Sequence, residues 1–423
     1  MVMKEEEKEK EMIRVREFDM ERDLAAVEEL ERRCEVGPTT AAAAAAADDD
    51  DDNQNKNKKK KKKNKNKRAI SLYVDQLGDP LSRVRHAPEY VMLVAEYGEK
   101  KEMVGVIRAC IKMVSSGRPS TSPLMAYVKV AYILGLRVSP SHRCLGIATM
   151  LVEDAERWCS AAGAAYAYMA TTASNSASLS LFTRRLSYAP FRRPVLLGHP
   201  VHAHLLPLRI PHHSILRLPP PLAAALYSHL LPSSAVELLP SDLPSLLSHK
   251  YTVGTYLTLS TSSSPPSFAI LSVWDSTHIL SFRVAGSSAA TRAAVSLLRA
   301  ADTFAPWLHL PSIPNVFLPF GAYVLYGLHM SGPDGPHLLR SLCRFAHNLA
   351  VRNPSCGVVV AEVAPADPVR AAIPHWRRFS CDEDVWCIKP LRSNPIGDDD
   401  VDGWLASPPS TSNKVMFVDP RDF

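Results

Sequence analysis

The sequence lacks the features that mark membrane-spanning, secreted and disulfide-bonded proteins. Its 423 residues contain no uninterrupted apolar run of about 18, the length that a transmembrane helix needs. The N-terminus is mostly charged and no apolar segment follows it, unlike a secretory signal. The eight cysteines form no C-x-x-C pair, which argues against a zinc site or a disulfide framework. We therefore expect an intracellular protein that uses no metal and does not contact a membrane.

The net charge is also small once one segment is set aside. The chain carries a formal net charge of +6. Nine lysines between Lys56 and Lys67, together with Arg68, outweigh the five aspartates of 48–52 and supply five of those six charges. The rest of the chain is close to neutral, which argues against a broad basic surface and against specific nucleic-acid binding. The apolar fraction of 46% excludes disorder of the whole chain.

A low-complexity insert over 39–69 follows the first helix. Its alanine, aspartate and lysine/asparagine runs cannot bury enough apolar surface to offset chain entropy, so we predict that it is disordered, like the tail 1–11. The lysine tract 56–68 is typical of a nuclear import signal and predicts a nuclear protein. The alternative is a solvated loop expansion without an import role, which leaves the cytoplasm as the compartment.

Hydrophobic periodicity predicts a mixed α/β protein with two folded parts. In the first part, a long apolar strand over 127–138 precedes an amphipathic helix over about 146–162. In the second, a strand over 323–329 precedes a helix over 337–350. The predicted bounds are 12–195 for the first domain, 196–250 for a proline-rich irregular connector, 251–392 for a second α/β domain and 393–423 for a tail.

Three closely spaced histidines lie in the predicted connector. His199, His202 and His204 are of a residue type that binds metals, but their segment is rich in proline and brings no other ligand with it. We interpret them as surface histidines.

The segment from Leu136 to Ala148 carries the clearest chemical signal. It reads as the end of a strand, a tight loop and the start of a helix, where unpaired backbone N–H groups attract anions. Gly146 allows a phosphate to approach the backbone closely, and Arg143 adds a permanent positive charge. The R-x-x-G-x-A pattern thus predicts a phosphate site, with a plain strand–turn–helix connection as the alternative.

A second motif follows after the next predicted strand. It is N-x-x-S-x-x-L-F, from Asn175 to Phe182. In this order the two motifs resemble the acyl-CoA-binding core of the GNAT N-acetyltransferases. The resemblance implies a GNAT acyl-CoA N-acyltransferase fold with an α+β mixed sheet, and acetyl-CoA as co-substrate. The cofactor-binding residues that it implies are Leu136, Val138, Arg143, Cys144, Gly146, Ile147, Ala148, Asn175 and Phe182.

Further signatures extend the resemblance along the chain. Together they resemble the plant HOOKLESS group of N-acetyltransferases, which implies a role in differential growth under ethylene and auxin. They include Leu134–Pro140, Leu310–Pro314, Ile373–Trp376, Cys381–Asp384 and Val418–Phe423.

The catalytic half of the GNAT pattern is harder to identify. Acetyl transfer needs a base for the amine proton and an acid for the leaving thiolate. Many GNAT enzymes have a tyrosine where this sequence has Phe182, and the strand over 127–138 contains no carboxylate. Tyr132 and Tyr188 are the candidate catalytic hydroxyls, with aromatic core packing as the alternative for each. Cys144 lacks a His/Asp relay, so we interpret it as a bystander thiol.

Two functions remain open at this point. One is an N-acetyltransferase that acts on a protein or a small amine. The other is a catalytically degenerate acyl-CoA-binding regulator that acts through partners. The second domain repeats the order strand, loop, helix and strand, but its loop over 331–336 lacks arginine and has Pro336 instead of an amide donor. We predict a degenerate GNAT-like domain that is structural or binds a protein partner, with an unrelated α+β domain as the alternative.

Overall fold

A computed structural model describes residues 12–34, 71–118, 126–208, 214–260, 264, 266–381, 384–391, 404 and 415–423. The predicted disordered tail 1–11, the insert 39–69 and its lysine tract 56–68 lie outside the described residues. Within the described residues, no helix has the length and apolar character to cross a membrane.

Seven helices and seventeen strands are described in these ranges. The helices are α1 (Met20–Arg33), α2 (Ile147–Ala161), α3 (Ser176–Leu179), α4 (Pro220–Leu230), α5 (Leu243–Leu247), α6 (Ala289–Phe304) and α7 (Gly335–Val351). The strands are β1 (Ile13–Glu17), β2 (Ser71–Gln76), β3 (Glu89–Tyr97), β4 (Glu102–Ser116), β5 (Tyr127–Val138), β6 (Tyr166–Thr172), β7 (Ala189–Arg192), β8 (Val195–Pro200), β9 (Ile215–Leu218), β10 (Val236–Pro240), β11 (Thr252–Ser260), β12 (Ser267–Asp275), β13 (Leu280–Ala285), β14 (Gly321–Ser331), β15 (Cys356–Val363), β16 (Asp384–Pro390) and β17 (Val415–Met416).

The first sheet packs against α2. Its strand order is β1-β3-β4-β5-β6-β16-β7, with β10 beside β4 and β17 beside β10. β5 and β6 run parallel, and α2 connects them. Ile147, Leu151, Ala155 and Cys159 recur every fourth residue along α2, so they form one stripe that is buried against the sheet. This apolar periodicity is what makes α2 an amphipathic helix.

The second sheet repeats the arrangement of the first. Its order is β8-β15-β14-β12-β11-β9. β14 and β15 run parallel, and α7 connects them as α2 connects β5 and β6. In chain order, β9-α4-β11-β12-β14-α7-β15 thus corresponds to β1-α1-β3-β4-β5-α2-β6. The predicted second, GNAT-like copy is present.

The two halves exchange their closing strands. β16, which follows the second half in the chain, lies in the first sheet and pairs with β6. β8, which precedes the second half, lies in the second sheet and pairs with β15. Each sheet is therefore completed by a strand from the other side of the chain, so neither half is a closed unit by itself.

The predicted irregular connector over 196–250 differs from the structure. That range contains most of β8 and all of β9, α4, β10 and α5. The prolines stand where a missing N–H costs little: Pro220 opens α4, and Pro200 and Pro240 end strands. High proline content therefore marks the ends of ordered elements here, rather than an absence of them.

The described part of the predicted tail 393–423 is also different from expectation. Residues 415–423 pack into the protein, because β17 pairs with β10 and Phe417 enters a core beside Tyr326. Asp419, Arg421 and Asp422 are buried as well. Buried ions need partners, and Lys112 of β4 contacts both aspartates while Arg421 binds Asp242 at 2.6 Å.

The prediction of surface histidines is wrong. His202 and His204 are each 4% exposed and His199 is half-buried. Nδ1 of His204 lies 2.7 Å from the buried carboxylate of Asp302 in α6, and His347 of α7 accepts the backbone N–H of His202 at 2.9 Å. The loop after β8 is therefore tied to two helices by hydrogen bonds that sequence spacing could not reveal.

Candidate acyl-CoA site

A gap opens between β5 and β6 in the middle of the first sheet. The two strands pair only from Val130 to Tyr132 on β5, and their described residues beyond that point have no paired partners across the gap. On the other side of β5, the register with β4 shifts at Gly135, whose φ is +66°. A Cβ at this position would lie 2.7 Å from Arg108, so both conformation and space favour glycine.

The predicted phosphate loop lies at the open end of this gap. Ser139 ends the strand by donating its N–H to Val104 at 2.8 Å, and a single turn over Pro140–His142 follows. Cys144 and Gly146 both have left-handed backbones, with φ of +68° and +85°. These two turns direct the chain into α2, so the helix starts immediately at the loop.

The start of α2 is suited to an anion. Backbone N–H groups in the first turn have no partner within a helix, and they lie at the positive end of its dipole. The first turn contains no acidic residue that would compete for them. Arg143 is exposed beside this turn, while Ile147 anchors the helix in the core. The donors suit a phosphate: several N–H groups, a guanidinium and a glycine that permits close approach.

The structure brings most of the implied cofactor residues together here. Leu136 and Val138 lie on β5 beyond the bulge, both half-buried, and Ala148 lies in the first turn of α2. The carbonyl of Val138 faces the thiol of Cys34 at 3.5 Å. Cys144 is exposed, which leaves its role as a bystander or a contact to a ligand as a prediction.

Asn175 and Phe182 have evident local roles. The side chain of Asn175 caps α3, because its Oδ1 accepts the N–H of Ser178 at 3.2 Å. Phe182 is 2% exposed and packs edge-on against the ring of Tyr188 in the core beneath α2. Their contact with a thioester stays a prediction.

The two candidate tyrosines lie in different surroundings. Tyr188 is buried beside Glu156 of α2. At 1.5 Å per residue, Glu156 lies about 13 Å along the helix from Ile147, the first residue of α2. Tyr188 is therefore distant from the phosphate loop that precedes α2. Tyr132 lies at the closed end of the gap, where β5 and β6 are still paired. The structure thus places Tyr132, rather than Tyr188, at the gap.

An aromatic row crosses the sheet on the face opposite α2. Tyr132 of β5 stacks on Tyr168 of β6 with ring centres 4.8 Å apart, and Tyr168 stacks on Trp386 of β16 at 5.7 Å. The Tyr168 hydroxyl donates to the Asp422 carboxylate at 2.9 Å, and Tyr132 donates to the Asp422 carbonyl at 3.3 Å. Burial, together with the charge of Asp422, raises the pKa of both phenols, so both remain protonated donors.

Sequence reasoning missed the ionic cluster next to this row. Burial alone would raise the pKa of Asp419, but Arg421 and Lys112 lower it, so Asp419 is an anion. For Asp422, burial raises the pKa even though Lys112 opposes the shift. In the sequence, the segment Val418–Phe423 is recognisable only as a family signature. Its ionic role follows from docking against β4, about 300 residues earlier in the chain.

Comparison with known proteins identifies the family. The family model for the acetyltransferase (GNAT) family matches residues 68–188, which include β5, the loop and α2. Over 97% of its length the chain is 61% identical to the rice protein Acetyl transferase GW6a (Oryza sativa subsp. japonica), of which it covers 98%. It is 41% identical to Probable N-acetyltransferase HLS1 of Arabidopsis thaliana, over 97% of this chain and 99% of that protein. The chain belongs to the GNAT acetyltransferase family.

The GNAT fold of the whole chain has a counterpart among solved structures. A crystal structure of Saccharomyces cerevisiae N-myristoyltransferase with bound myristoyl-CoA matches 91% of this chain and 80% of that one, with a TM-score of 0.52. The sequence identity is 11%, so the likeness concerns the fold alone. It agrees with the internal repeat, and the predicted mixed α/β GNAT fold with a GNAT-like second half is confirmed. GNAT proteins use acyl-CoA.

Proposed function

We propose that this GNAT protein is an acetyl-CoA-dependent N-acetyltransferase that acts on a protein or a small amine. The observation that supports this most directly is the position of the loop Ser139–Gly146. It leads from the open end of the β5/β6 gap straight into the N-terminus of α2. A phosphate site beside a splayed pair of strands can hold an extended acyl-CoA, with its pyrophosphate on the loop and its pantetheine arm in the gap.

Different groups around the loop would bind different parts of acetyl-CoA. The N–H groups of the first turn of α2 would hold the pyrophosphate, and Arg143 would add a positive charge. Backbone groups of β5 beyond Gly135, which β6 does not use, would hydrogen-bond the pantetheine amides. The thioester would then lie near the point where the strands separate, close to Tyr132.

The acceptor amine would approach from the face of the sheet opposite α2. On the other face, α2 and its core cover β5 and β6. The face opposite α2 carries the aromatic row of Tyr132, Tyr168 and Trp386, whose side chains are buried. Attack of the amine on the thioester carbonyl would there form the new C–N bond and release the CoA thiolate. Positioning of the two reactants would supply much of the rate.

A catalytically degenerate acyl-CoA-binding regulator is the second candidate. The observation that favours it is that neither β5 nor β6 contains an Asp or Glu. Such a protein would bind acetyl-CoA without turning it over, and would act through protein partners of its second half.

Calorimetric titration with acetyl-CoA, together with an assay of acetyl release, tests the proposal. We expect the full-length protein to bind acetyl-CoA and Arg143→Glu to bind at least tenfold more weakly. The matched control is Arg157→Glu, an exposed position near the other end of α2, which we expect to bind normally. Binding without turnover on any amine would leave the regulator as the function. Absence of binding by the unmodified protein would contradict both candidates.

The cellular role is proposed from the family resemblance. We propose a role in differential growth, in responses to ethylene and auxin, and action in the nucleus through the lysine tract 56–68 as an import signal. A fluorescent fusion lacking 53–68 is the test for the compartment. Loss of nuclear signal would support the tract as the address, and an unchanged nuclear signal would remove it.

A further inference from the structure

The first half lacks a carboxylate on the strands that border the gap, although amine attack needs a proton acceptor. We propose that Glu362 of β15, in the second half of the molecule, is the general base that accepts the proton of the acceptor amine. This inference rests on the proposed acetyltransferase function and adds the residue that the first half lacks.

Glu362 lies in a second gap that is equivalent to the first. β14 and β15 pair only as far as Leu325 and Ala361, and Glu362 is the next residue on β15. The register of β14 with β12 shifts at Gly327, whose φ is +60°, as the register of β5 shifts at Gly135. Glu362 therefore lies where two strands separate, and it lines a small cavity with Tyr326 and Phe417.

The side chain of Glu362 contacts the aromatic row of the first sheet. Trp386 hydrogen-bonds to its carboxylate. Trp386 lies on β16, opposite Ala170 of β6, because the halves exchange their closing strands. It also stacks on Tyr168, which stacks on Tyr132 at the gap. The carboxylate is thus held at the end of the row, on the face from which the acceptor would approach.

The surroundings of Glu362 make it a suitable base near neutral pH. Burial, followed by the charge of Asp384, raises the pKa of Glu362 to about 8. A base is most effective when its pKa is close to the working pH. The residue keeps part of its surface exposed and lines the small cavity beside Tyr326. The titratable groups around it are Asp384 on β16, Asp422 in the C-terminal segment, Tyr132 on β5 and Asp367 after β15.

The neighbouring carboxylates are engaged otherwise. Asp419 is bound by Lys112 and by Arg421, whose Nη2 donates to it at 2.7 Å. Asp422 is bound by Lys112 and receives the hydroxyl of Tyr168. Arg421 and Lys112 lower the pKa of Asp419, and Lys112 opposes the rise that burial gives to the pKa of Asp422. For Glu362, burial and the like charge of Asp384 favour proton uptake, and the hydrogen bond from Trp386 opposes it.

The amine nitrogen attacks the thioester carbonyl and forms the C–N bond, while its proton moves to the Glu362 carboxylate. The C–S bond then breaks, and the electron pair stays on sulfur. The thiolate of CoA takes up the proton from Glu362, directly or through a water molecule, which returns Glu362 to its ionised form.

Glu362→Gln in the full-length protein tests the inference, because the amide keeps the size of the side chain and an acceptor for Trp386. The readouts are acetyl-CoA affinity by calorimetry and the pH profile of acetyl transfer to a peptide library with free amines. For the unmodified protein we expect a rate that rises with pH and levels off above about 8. For Glu362→Gln we expect unchanged acetyl-CoA affinity, kcat lowered by about 100-fold or more, and loss of that rising limb.

Asp384→Asn is the companion variant and keeps the test valid if Glu362→Gln does not fold. Because the charge of Asp384 raises the pKa of Glu362, its removal should move the rising limb to lower pH while activity is kept. A Glu362→Gln protein with kcat within threefold of normal and the same limb would overturn the inference, as would an unmoved limb in Asp384→Asn. Failure of the unmodified protein to bind acetyl-CoA or to transfer acetyl would instead overturn the proposed function itself, and this inference with it.

Discussion

Gly146 and Gly163 stand at the two ends of α2 with nearly the same backbone conformation. Their φ angles are +85° and +87°, in the left-handed region where a side chain is strained. Only Gly146 lies at the loop that we assign to acyl-CoA. Comparison of substitutions at the two positions therefore distinguishes the general cost of a strained backbone from a specific loss of ligand binding.

We predict that Gly146→Ala and Gly163→Ala both lower stability by roughly 1–2 kcal/mol, and that only Gly146→Ala weakens acetyl-CoA binding. The reason is that an added Cβ at Gly146 lies at the turn where the phosphate must approach the backbone. Urea unfolding and calorimetry give the two readouts. Equal affinities in the two variants would argue against a phosphate at this turn.

The raised pKa of Glu362 predicts an effect on the free energy of unfolding as well as on the rate of acetyl transfer. Its pKa is about 8 in the folded protein and near 4.5 in the unfolded chain, so between these values the folded state binds more protons. The contribution of Glu362 to stability is therefore present at low pH and is lost as pH rises through this window. We expect Glu362→Gln to show a smaller fall in urea stability from pH 5 to pH 8. Parallel pH dependence in the two proteins would contradict this.

Among the elements, the pair of bulges is the most informative. β5 and β14 each have a left-handed glycine where the register with the preceding strand shifts, and each then separates from its parallel neighbour. A Cβ at Gly327 would lie 2.8 Å from the ring of Tyr227. The same device therefore opens a gap in both sheets, and the exchanged strands bring the two gaps together.

A buried ion pair joins two strands of the first sheet, β7 and β10. Arg192 of β7 and Glu237 of β10 form two hydrogen bonds of 2.6 Å, with both side chains almost fully enclosed. We expect Glu237→Gln to destabilise the protein by about 3 kcal/mol, because it leaves Arg192 buried without its counter-ion. Glu29→Gln is the control. It breaks exposed pairs with Arg32 and Arg33, and we expect no measurable change. A similar effect of the two substitutions in urea unfolding would contradict the assignment.

Sequence patterns predicted the elements that depend on local periodicity. The bounds of β5 match the predicted strand, and α2 and α7 lie within two residues of their predicted bounds. The loop with Arg143 and Gly146 was predicted for the same reason, since its residues are adjacent in the chain. Glu362, Trp386 and Asp422 were not, because only long-range strand exchange and docking of the C-terminus bring them to the gap.

At the scale of the whole molecule, the C-terminal segment joins the two halves. Residues 415–423 add β17 beside β10, place Phe417 beside the second gap and supply the counter-ions of Lys112. One short segment thus contacts strands of the first sheet and the cavity of the second. Its position explains why the chain cannot be divided cleanly into two independent domains.

Removal of residues 415–423 should therefore affect the entire protein. Lys112 would remain buried without its carboxylates, a loss of about 3–5 kcal/mol, and the core around Phe417 would open to solvent. We expect a lower melting temperature and loss of acetyl transfer. Thermal unfolding followed by circular dichroism is the measurement, with removal of residues 1–11 as the control. A truncated protein with unchanged melting temperature would contradict this role.

The central claim is that the loop before α2 binds acetyl-CoA for transfer to an amine. Its most direct test is calorimetric titration of the full-length protein and of Arg143→Glu with acetyl-CoA, followed by an acetyl-transfer assay of the same samples. We predict that the unmodified protein binds one acetyl-CoA and transfers its acetyl group, whereas Arg143→Glu binds at least tenfold more weakly. Equal affinity in the two proteins, or no binding in either, would contradict the claim.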